Sequence, residues 1–501
     1  MRHQLRRGEM ERKYEFDFDC KLDSIIAKNK PVIRIKKIEL TNFKSIGERI
    51  VNSADGSTNI EIQPGGEIEF RCKNNHIDIL GIYGQNGSGK SAVIEALAIV
   101  KALMSGEPLP KEYFYFIAFG KRYAKLKFIF EIKIKYPNKQ KEVVHEVIYS
   151  FCMGRKRRLI PEDPDTSDDY EFMIFNEKFF SKGNNVDIDA SRRDFPDAAN
   201  PLVSSVFAID LLQRLDVNSI KFEILGEFRR YAKDCLYVVT AKSLESNSTT
   251  ATPIYFKKRT IIFDDCKPTK IPVTIFDEVK YEVNKISCVL EKMAPGLFRP
   301  LRLRELNNPE DKDELDTILE FFIDARIKPM PLKCESNNVK RIISIVPLII
   351  EVFNQPSVTV AIDDFDQGIF EYLFGKILEV LAYEPDKESD DESAKGQFVF
   401  TAHNLRPVEK LANTKFHGDK RFLYFTTTNP ENKYVHPQNI VENNNLRDIY
   451  LNEIDKKESK QEGNSDEKLK RKRKFEESIE LAYKIDMEKI RKALTEAGHK
   501  E

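Results

Sequence analysis

Several protein classes are excluded by what this chain lacks. Its seven cysteines, from Cys20 to Cys334, include no Cys-x-x-Cys pair and no metal-like spacing. An odd, scattered set fits a reducing, intracellular setting rather than a disulfide framework. Met1–Lys13 is polar and basic, with no apolar core of a secretory signal. The longest apolar stretch, Ile342–Phe353, is too short to span a bilayer and contains Pro347 and Glu351. The expectation is a soluble, cytoplasmic protein with no membrane partner. Net charge is missing too, because 81 basic side chains meet 81 acidic ones. That balance argues against a dedicated polyanion binder and leaves local patches unconstrained. No internal repeat is visible, and no heptad pattern is sustained through the middle of the chain, so a long coiled-coil arm is not expected.

What is present points to a packed protein. Of 501 residues, 41% are apolar and 32% charged, enough for a real core and for about three domains or one large domain with insertions. The charges are segregated. Acidic residues gather at Pro161–Asp169, Asp363–Asp366 and Glu384–Glu392, and basic ones at Arg155–Arg158 and Lys468–Lys474. Such blocks suit self-complementary surfaces.

Alternation predicts strands at Val32–Leu40, Lys125–Lys135 and Val143–Cys152, and a hairpin formed by Asn59–Ile62 and Glu67–Phe70. Ile77–Tyr83 is apolar on both faces, as a central strand requires, and Ser91–Leu103 follows as a helix. From Arg192 to Glu305 helical stretches (Val203–Leu215, Thr274–Met293) mix with β-rich pieces (Leu236–Thr240, Ile254–Phe263). Buried-looking strands return at Val358–Asp363, Phe398–Thr401 and Phe422–Thr427, with helices Ile369–Ala382 and Arg406–Ala412 between them. Glu384–Gly396 reads as a linker, and an amphipathic helix is expected from Phe475 to about Ala497.

The strongest motif is Gly84-Gln85-Asn86-Gly87-Ser88-Gly89-Lys90-Ser91, which matches the phosphate-binding pattern GxxxxGK[ST] between a buried strand and a helix. Small residues let successive backbone N–H groups curl around phosphates, and the helix N-terminus adds its positive dipole end. Lys90 would reach the β and γ phosphates of ATP, and Ser91 would ligate Mg²⁺. A phosphate loop needs a second carboxylate for the metal and a group to orient water. Asp363 ends an apolar strand and suits the first role; Asp364 follows and suits the second. His403, just past the strand Phe398–Thr401, is placed to contact a γ-phosphate. The plain alternatives are a solvated acidic loop and a loop histidine.

The order of phosphate loop, long intervening stretch, strand ending in two acids and strand ending in His resembles the ATP-binding-cassette type of ATPase head. Within that class it resembles the SMC, RecF and overcoming-lysogenization-defect (OLD) group. Ile38-Glu-Leu-Thr-Asn-Phe-Lys-Ser45 is similar to that group's first strand. The resemblance covers residues 31–150 and 310–445. It implies an α/β fold: an ABC/SMC-like head split by an α+β insertion, with a C-terminal helical extension. The implied divisions are an N-terminal extension (1–30), a lobe with the phosphate loop (31–190), the insertion (191–310), a second lobe (311–445), and a charged linker with a helix (446–501).

In that family a signature segment caps the nucleotide of the opposite subunit. Ser336, Asn338 and Arg341 occupy its place here, before the apolar stretch Ile342–Phe353. Asn338 replaces a family glycine, and Asn tolerates a left-handed backbone better than most residues, so the loop shape is expected to survive. Asp364 replaces a family Glu. Both departures bear on hydrolysis more than on binding, and no Gln sits at an obvious strand end after Lys125–Lys135. The resemblance implies a head-to-head dimer or higher homo-oligomer, with Asp366 at the crossing; Arg406 is a further candidate for a phosphate or interface contact, or else a surface Arg at a helix N-terminus.

No Asp-x-Asp follows the acidic pair, no HNH pattern is visible, and His417 and His436 are isolated, so the chain itself does not read as a nuclease. Stand-alone ATPases of this build resemble subunits of two-component bacterial phage-defence systems such as Septu and PARIS, which control a separate effector. A RecF/SMC-like DNA-repair ATPase and an ATP-gated scaffold with little hydrolysis are the alternatives. DNA stays open as a partner: Lys468–Lys474 could grip phosphates, dock on an acidic protein, or be a solvated linker. No aromatic residues interleave with either basic run.

Overall fold

The computed structural model describes residues 31–52, 60–70, 77–134, 143–157, 170–182, 186–190, 202–207, 220–241, 251–256, 259–264, 267–295, 298–306, 313–322, 329–369, 371–382, 395–404, 423–436 and 487–498. The 1–30 extension, the acidic loop at Pro161–Asp169, the helix expected at Arg406–Ala412, most of the Glu384–Gly396 linker, His417 and the basic run at Lys468–Lys474 lie outside them. The chain divides into two compact units, Met1–Glu69 with Ala98–Cys235 and Phe70–Leu97 with Leu236–Glu501.

The first unit is built on an antiparallel sheet in the order β4-β1-β6-β7-β8-β9. Its strands are β1 (Val32–Thr41), β4 (Gly66–Glu69), β6 (Tyr123–Ile134), β7 (Val143–Arg157), β8 (Tyr170–Lys182) and β9 (Val186–Ala190). β6 alternates strictly, burying Ala124, Leu126, Phe128, Phe130 and Ile132 on one face. Phe130 of β6 and Phe179 of β8 meet Phe228 of helix α2 (Ile220–Asp234), at ring separations of 5.1 and 5.4 Å. Each such buried ring contributes roughly 1.5–3 kcal/mol over an exposed one.

The expected 59–70 hairpin does not form. β3 (Ile60–Pro64) pairs with β2 (Glu48–Asn52), whereas β4 pairs with β1. Alternation marks a strand but not its partner, and the N–H of Gly65, between β3 and β4, bonds to the carbonyl of Gly47 instead of closing a two-residue turn. The helix expected at Val203–Leu215 is also absent from its described part, 202–207, which bends. There the Ser205 N–H bonds to Glu177 Oε2 and the Phe207 N–H to Ser204 Oγ. Side-chain acceptors draw those donors away from a helical ladder.

The second unit is α/β. Its main sheet runs β10-β17-β18-β5-β19-β20 and is parallel except at β20. The strands are β5 (Asp78–Tyr83), β10 (Leu236–Val239), β17 (Thr359–Ile362), β18 (Gln397–Ala402), β19 (Leu423–Thr426) and β20 (Tyr434–Val435). Every residue of β5, β17, β18 and β19 is buried, which explains why their interiors are apolar and polar residues fall at their ends. Helix α1 (Ser91–Ser105) leaves the tip of β5, and the boundary between the two units falls inside it.

The stretch read as Ile254–Phe263 is an antiparallel pair, β11 (Ala251–Phe256) with β12 (Arg259–Asp264). A small sheet of β13 (Thr269–Pro272), β14 (Leu301–Glu305), β15 (Glu314–Phe321) and β16 (Met330–Pro331) packs under helix α3 (Val273–Met293). Helix α4 (Asn337–Asn354) packs on β11 and β17, and α5 (Glu371–Leu381) follows β17. Helix α6 (Met487–Gly498), the described end of the expected C-terminal helix, buries Ile490, Ala493, Leu494 and Ala497 and packs on α3 and α4. No helix among the described residues is long and apolar enough to cross a membrane.

Candidate functional site

The phosphate-loop motif spans the tip of β5 and the start of α1. Gly87 and Gly89 take φ of +75° and +103°, values that an L side chain resists. At Gly84 the constraint is space: a Cβ there would collide with Thr426 Oγ1 at the tip of β19. Thr426 Oγ1 lies 2.5 Å from Ser88 Oγ, which also donates to the Gln85 carbonyl at 2.6 Å. From β20, the Tyr434 hydroxyl donates to the Gly89 carbonyl at 2.8 Å. The loop is therefore braced from β19 and β20.

Lys90 is 5% exposed, and its ammonium donates to the carbonyls of Gly84 (2.9 Å) and Gln85 (3.0 Å). Burial pulls its pKa below the ordinary lysine value, while the charges of Asp364, Asp363 and Asp366 pull it back. An interior cation resting on two neutral carbonyls, inside a loop of left-handed glycines, suits a polyphosphate.

The acidic turn follows β17. Asp363 is 3% exposed, and its Oδ1 accepts the Thr401 hydroxyl at 2.5 Å. The same Thr401 oxygen accepts the Asp364 N–H at 2.8 Å. Asp364 has φ of +47°, a left-handed conformation that turns the chain and carries its carboxylate toward β18. There Asp364 Oδ1 stands 3.1 Å from His403 Nε2. Phe365 is fully buried, with rings of Phe374, Phe398 and Phe400 around it, so the turn is anchored in the core between its exposed-side acids. Asp366 Oδ2 accepts the backbone N–H groups of His403 (2.9 Å) and Asn404 (2.7 Å). The residue expected at a subunit crossing thus secures the end of its own β18.

The segment expected to act as a signature stands beside this turn. Ser336 caps α4, its Oγ accepting the Val339 N–H at 3.3 Å. Asn338 is helical rather than left-handed, so its expected backbone role does not apply. The left-handed residue is Gly368, φ +73°, where a Cβ would strike the Asn338 side-chain amide. Arg341 Nη2 donates to the Asp364 carbonyl at 2.6 Å and the Asp363 carbonyl at 3.4 Å, and Nη1 to Gln367 Oε1 at 3.3 Å. Burial lowers the guanidinium pKa, and the neighbouring Asp364 and Asp366 charges oppose that. A pocket of about 270 Å³ opens between β11 and the start of α4, lined by Thr252, Asn337, Asn338, Lys340, Arg341 and Gln367 among others. Thr252 Oγ1 and Arg341 Nε are buried there without a hydrogen-bond partner among the described residues.

All the expected site residues fall in the second unit. Lys90, Asp363, Asp364 and His403 are brought together, and Arg341 joins them through the backbone of the acidic turn. Arg406 and Arg158 lie outside the described residues, and Arg155–Arg157 close β7. Among the described residues no three His, Cys, Asp or Glu side chains cluster as a self-sufficient metal site. A divalent ion held here would need phosphate oxygens beside Ser91 and Asp363. The sequence reading missed Thr401, Thr426 and Tyr434. The first two carry a detectable signal, as polar residues ending otherwise apolar buried strands.

No protein-family model matches the chain, and no curated protein matches it. Solved structures do. One is an SMC head bound to the C-winged helix domain of ScpA, at 15% identity, covering 80% of this chain and 96% of that one, with a TM-score of 0.41. The SMC head domain from Thermotoga maritima matches at 14% identity over 80% and 98% of the two chains, TM-score 0.34. The recombination mediator RecF, in its ATPrS form, matches at 12% identity over 79% and 97%, TM-score 0.35.

Proposed function

We propose that this chain is an ATP-binding and ATP-hydrolysing switch subunit that controls a separate effector, a nuclease, in a bacterial anti-phage defence complex. The observation that carries the ATPase part is the convergence of Lys90, Asp363, Asp364 and His403 around a phosphate-loop motif with left-handed glycines. The defence role rests on the sequence resemblance and on the missing nuclease motif.

In this reading Gly84–Ser91 wraps the triphosphate, with Gln85, Asn86 and Ser88 shaping the loop. Lys90 leaves its carbonyl partners for the β and γ phosphates, regaining the anion its burial lacks. Ser91 and Asp363 would hold Mg²⁺, which when bound would supply positive charge against the negative charge of the phosphate oxygens. Asp364 orients the attacking water, and His403, in hydrogen-bond reach of Asp364, senses the γ-phosphate. Ser336, Asn338 and Arg341 face the nucleotide of a second copy across a head-to-head dimer. Arg341 also braces the acidic turn of its own chain.

A second reading, an ATP-gated scaffold that turns over slowly, is favoured by Asp364. It is a short carboxylate already engaged with His403.

The deciding experiment compares wild type with Lys90→Ala and Asp364→Ala for ATP turnover, assembly size and partner release. A Lys90→Ala protein like wild type in all three sinks the switch. Identical phage plating with and without the gene and its neighbours sinks the defence role alone. Wild-type turnover no faster than that of Asp364→Ala selects the scaffold.

A further inference from the structure

An aromatic and basic surface lies on the first unit, and the ATP reading does not use it. The segment Lys111–Lys125 carries six aromatic residues and four basic ones against a single acid, Glu112. Interleaving of that kind is absent from the basic runs at Arg155–Arg158 and Lys468–Lys474. Half of the rings are structural. Phe116 meets Phe43 edge-on at 5.9 Å, and Phe114 meets Phe172 of β8 at 6.0 Å. The other rings face solvent.

Phe119 is the extreme case, at 105% relative exposure. It is held out rather than left loose. The Lys121 N–H bonds to the Ala118 carbonyl at 3.0 Å, and Gly120 has φ of +76°. That is the pattern of a type II turn, with Phe119 at its leading corner. The turn is tied down on both sides. The Ala118 N–H bonds to the Asn42 carbonyl at 2.9 Å, and Lys121 Nζ to Glu48 Oε1 at 2.7 Å. Tyr115, 81% exposed, stands on the short 3₁₀ turn Lys111–Phe116. Tyr123 opens β6 at 40% exposure and leans on Phe175, at 6.2 Å. Phe175 in turn fills the space that a side chain at Gly154 would need.

We propose that this segment binds single-stranded DNA, with bases stacking on Tyr115, Phe119 and Tyr123 and phosphates meeting Lys111, Arg122 and Lys125. Three exposed rings carried on one braced segment offer stacking partners that tolerate any base, because every base has a π-face. Lys111, Arg122 and Lys125 are all exposed. A duplex keeps its bases stacked on one another and could use the cations only. Apart from Glu112 and the tyrosine hydroxyls, Lys111–Lys125 offers no polar side chain other than cations, which leaves little to hold a ribose 2′-hydroxyl. Nothing on the segment therefore selects RNA, and DNA is the strand tested.

The test is fluorescence anisotropy of a labelled oligothymidylate of about twenty nucleotides, at low salt and without nucleotide, with the full chain. Wild type binds it more tightly than a duplex of the same length, and an RNA of that length binds no more tightly. The double variant Tyr115→Ala/Phe119→Ala binds at least about tenfold more weakly. Arg122→Glu weakens binding and flattens its salt dependence. Phe119→Trp, the sole tryptophan in the chain, keeps the affinity and is quenched on binding. Unchanged circular dichroism spectra and melting temperatures establish that the variants fold. The proposal is overturned if no oligonucleotide binds, if the double variant binds like wild type, if duplex binds as tightly as single-stranded DNA, or if RNA binds more tightly than it. It is also overturned if the double variant disrupts self-association in light scattering while leaving oligonucleotide binding intact.

Discussion

His403 Nε2 and Asp364 Oδ1 lie 3.1 Å apart, although 39 residues separate them in sequence. The contact is made by the left-handed turn at Asp364 and by the parallel pairing of β17 with β18. The two side chains are expected to act as a unit. His403→Ala and Asp364→Asn each slow ATP turnover by about 10²-fold with little change in nucleotide affinity. The double variant is no slower than the worse single one. Single-turnover hydrolysis and nucleotide titration check this, and additive losses would mean the groups act separately.

Thr401 supports both acids, donating to the Asp363 carboxylate and accepting the Asp364 N–H. Thr401→Val keeps the shape and removes both bonds. It is expected to cost about 1–3 kcal/mol in denaturant unfolding, the penalty of stranded buried polar groups. ATP turnover should fall with it. Thr401→Ser should restore most of both losses.

Lys90 gives a prediction in which binding and stability part company. Its buried ammonium has only carbonyls as hydrogen-bond partners among the described residues, and burial depresses its pKa against the pull of Asp364, Asp363 and Asp366. Lys90→Met should therefore melt no lower than wild type in the absence of nucleotide. With Mg²⁺ and ATP, wild type should rise in melting temperature and the variant should not. A variant that melts well below wild type without nucleotide would contradict the picture of an unsatisfied cation.

Glu177 governs a pH dependence in the first unit. It is 2% exposed, and its carboxylate accepts the Tyr149 hydroxyl at 2.5 Å, the Ser204 hydroxyl and the Ser205 N–H at 2.7 Å. Burial raises its pKa, outweighing those hydrogen bonds. A carboxyl whose folded pKa exceeds its unfolded value contributes stability that is full below the ordinary 4.5 and is lost as pH rises through the raised value. Glu177→Gln should flatten that slope and change stability by no more than about 1 kcal/mol, since a turned amide can serve the same partners. Glu177→Ala should cost about 3 kcal/mol by stranding them. Urea unfolding from pH 4.5 upward, comparing the three proteins, measures both effects.

The buried strands and the glycine-rich turn between β5 and α1 were legible because their signals are local. An apolar run bounded by glycines, or a strand ending in acids, needs only a few neighbours to be recognised. The partners were not legible. Gly65 lies between two strands that alternate equally well, and nothing in their residues says that they pair with β2 and β1 rather than with each other. Ser204 and Ser205 were read into a helix because the acceptor that diverts them, Glu177, is 27 and 28 residues away. In the site, acid and histidine positions followed from spacing. The grip of Arg341 on the acidic turn depends on where α4 lies against β17, and so does the burial of Lys90 on its surroundings.

The acidic turn also ties the site's integrity to that of the core. Phe365 sits between Asp364 and Asp366 in sequence, and its ring is fully enclosed by Phe374, Phe398 and Phe400. The carboxylates can reach their positions only once that aromatic cluster has closed. A partly folded chain would therefore carry no partly assembled copy of the turn, and each chain has it either formed or absent.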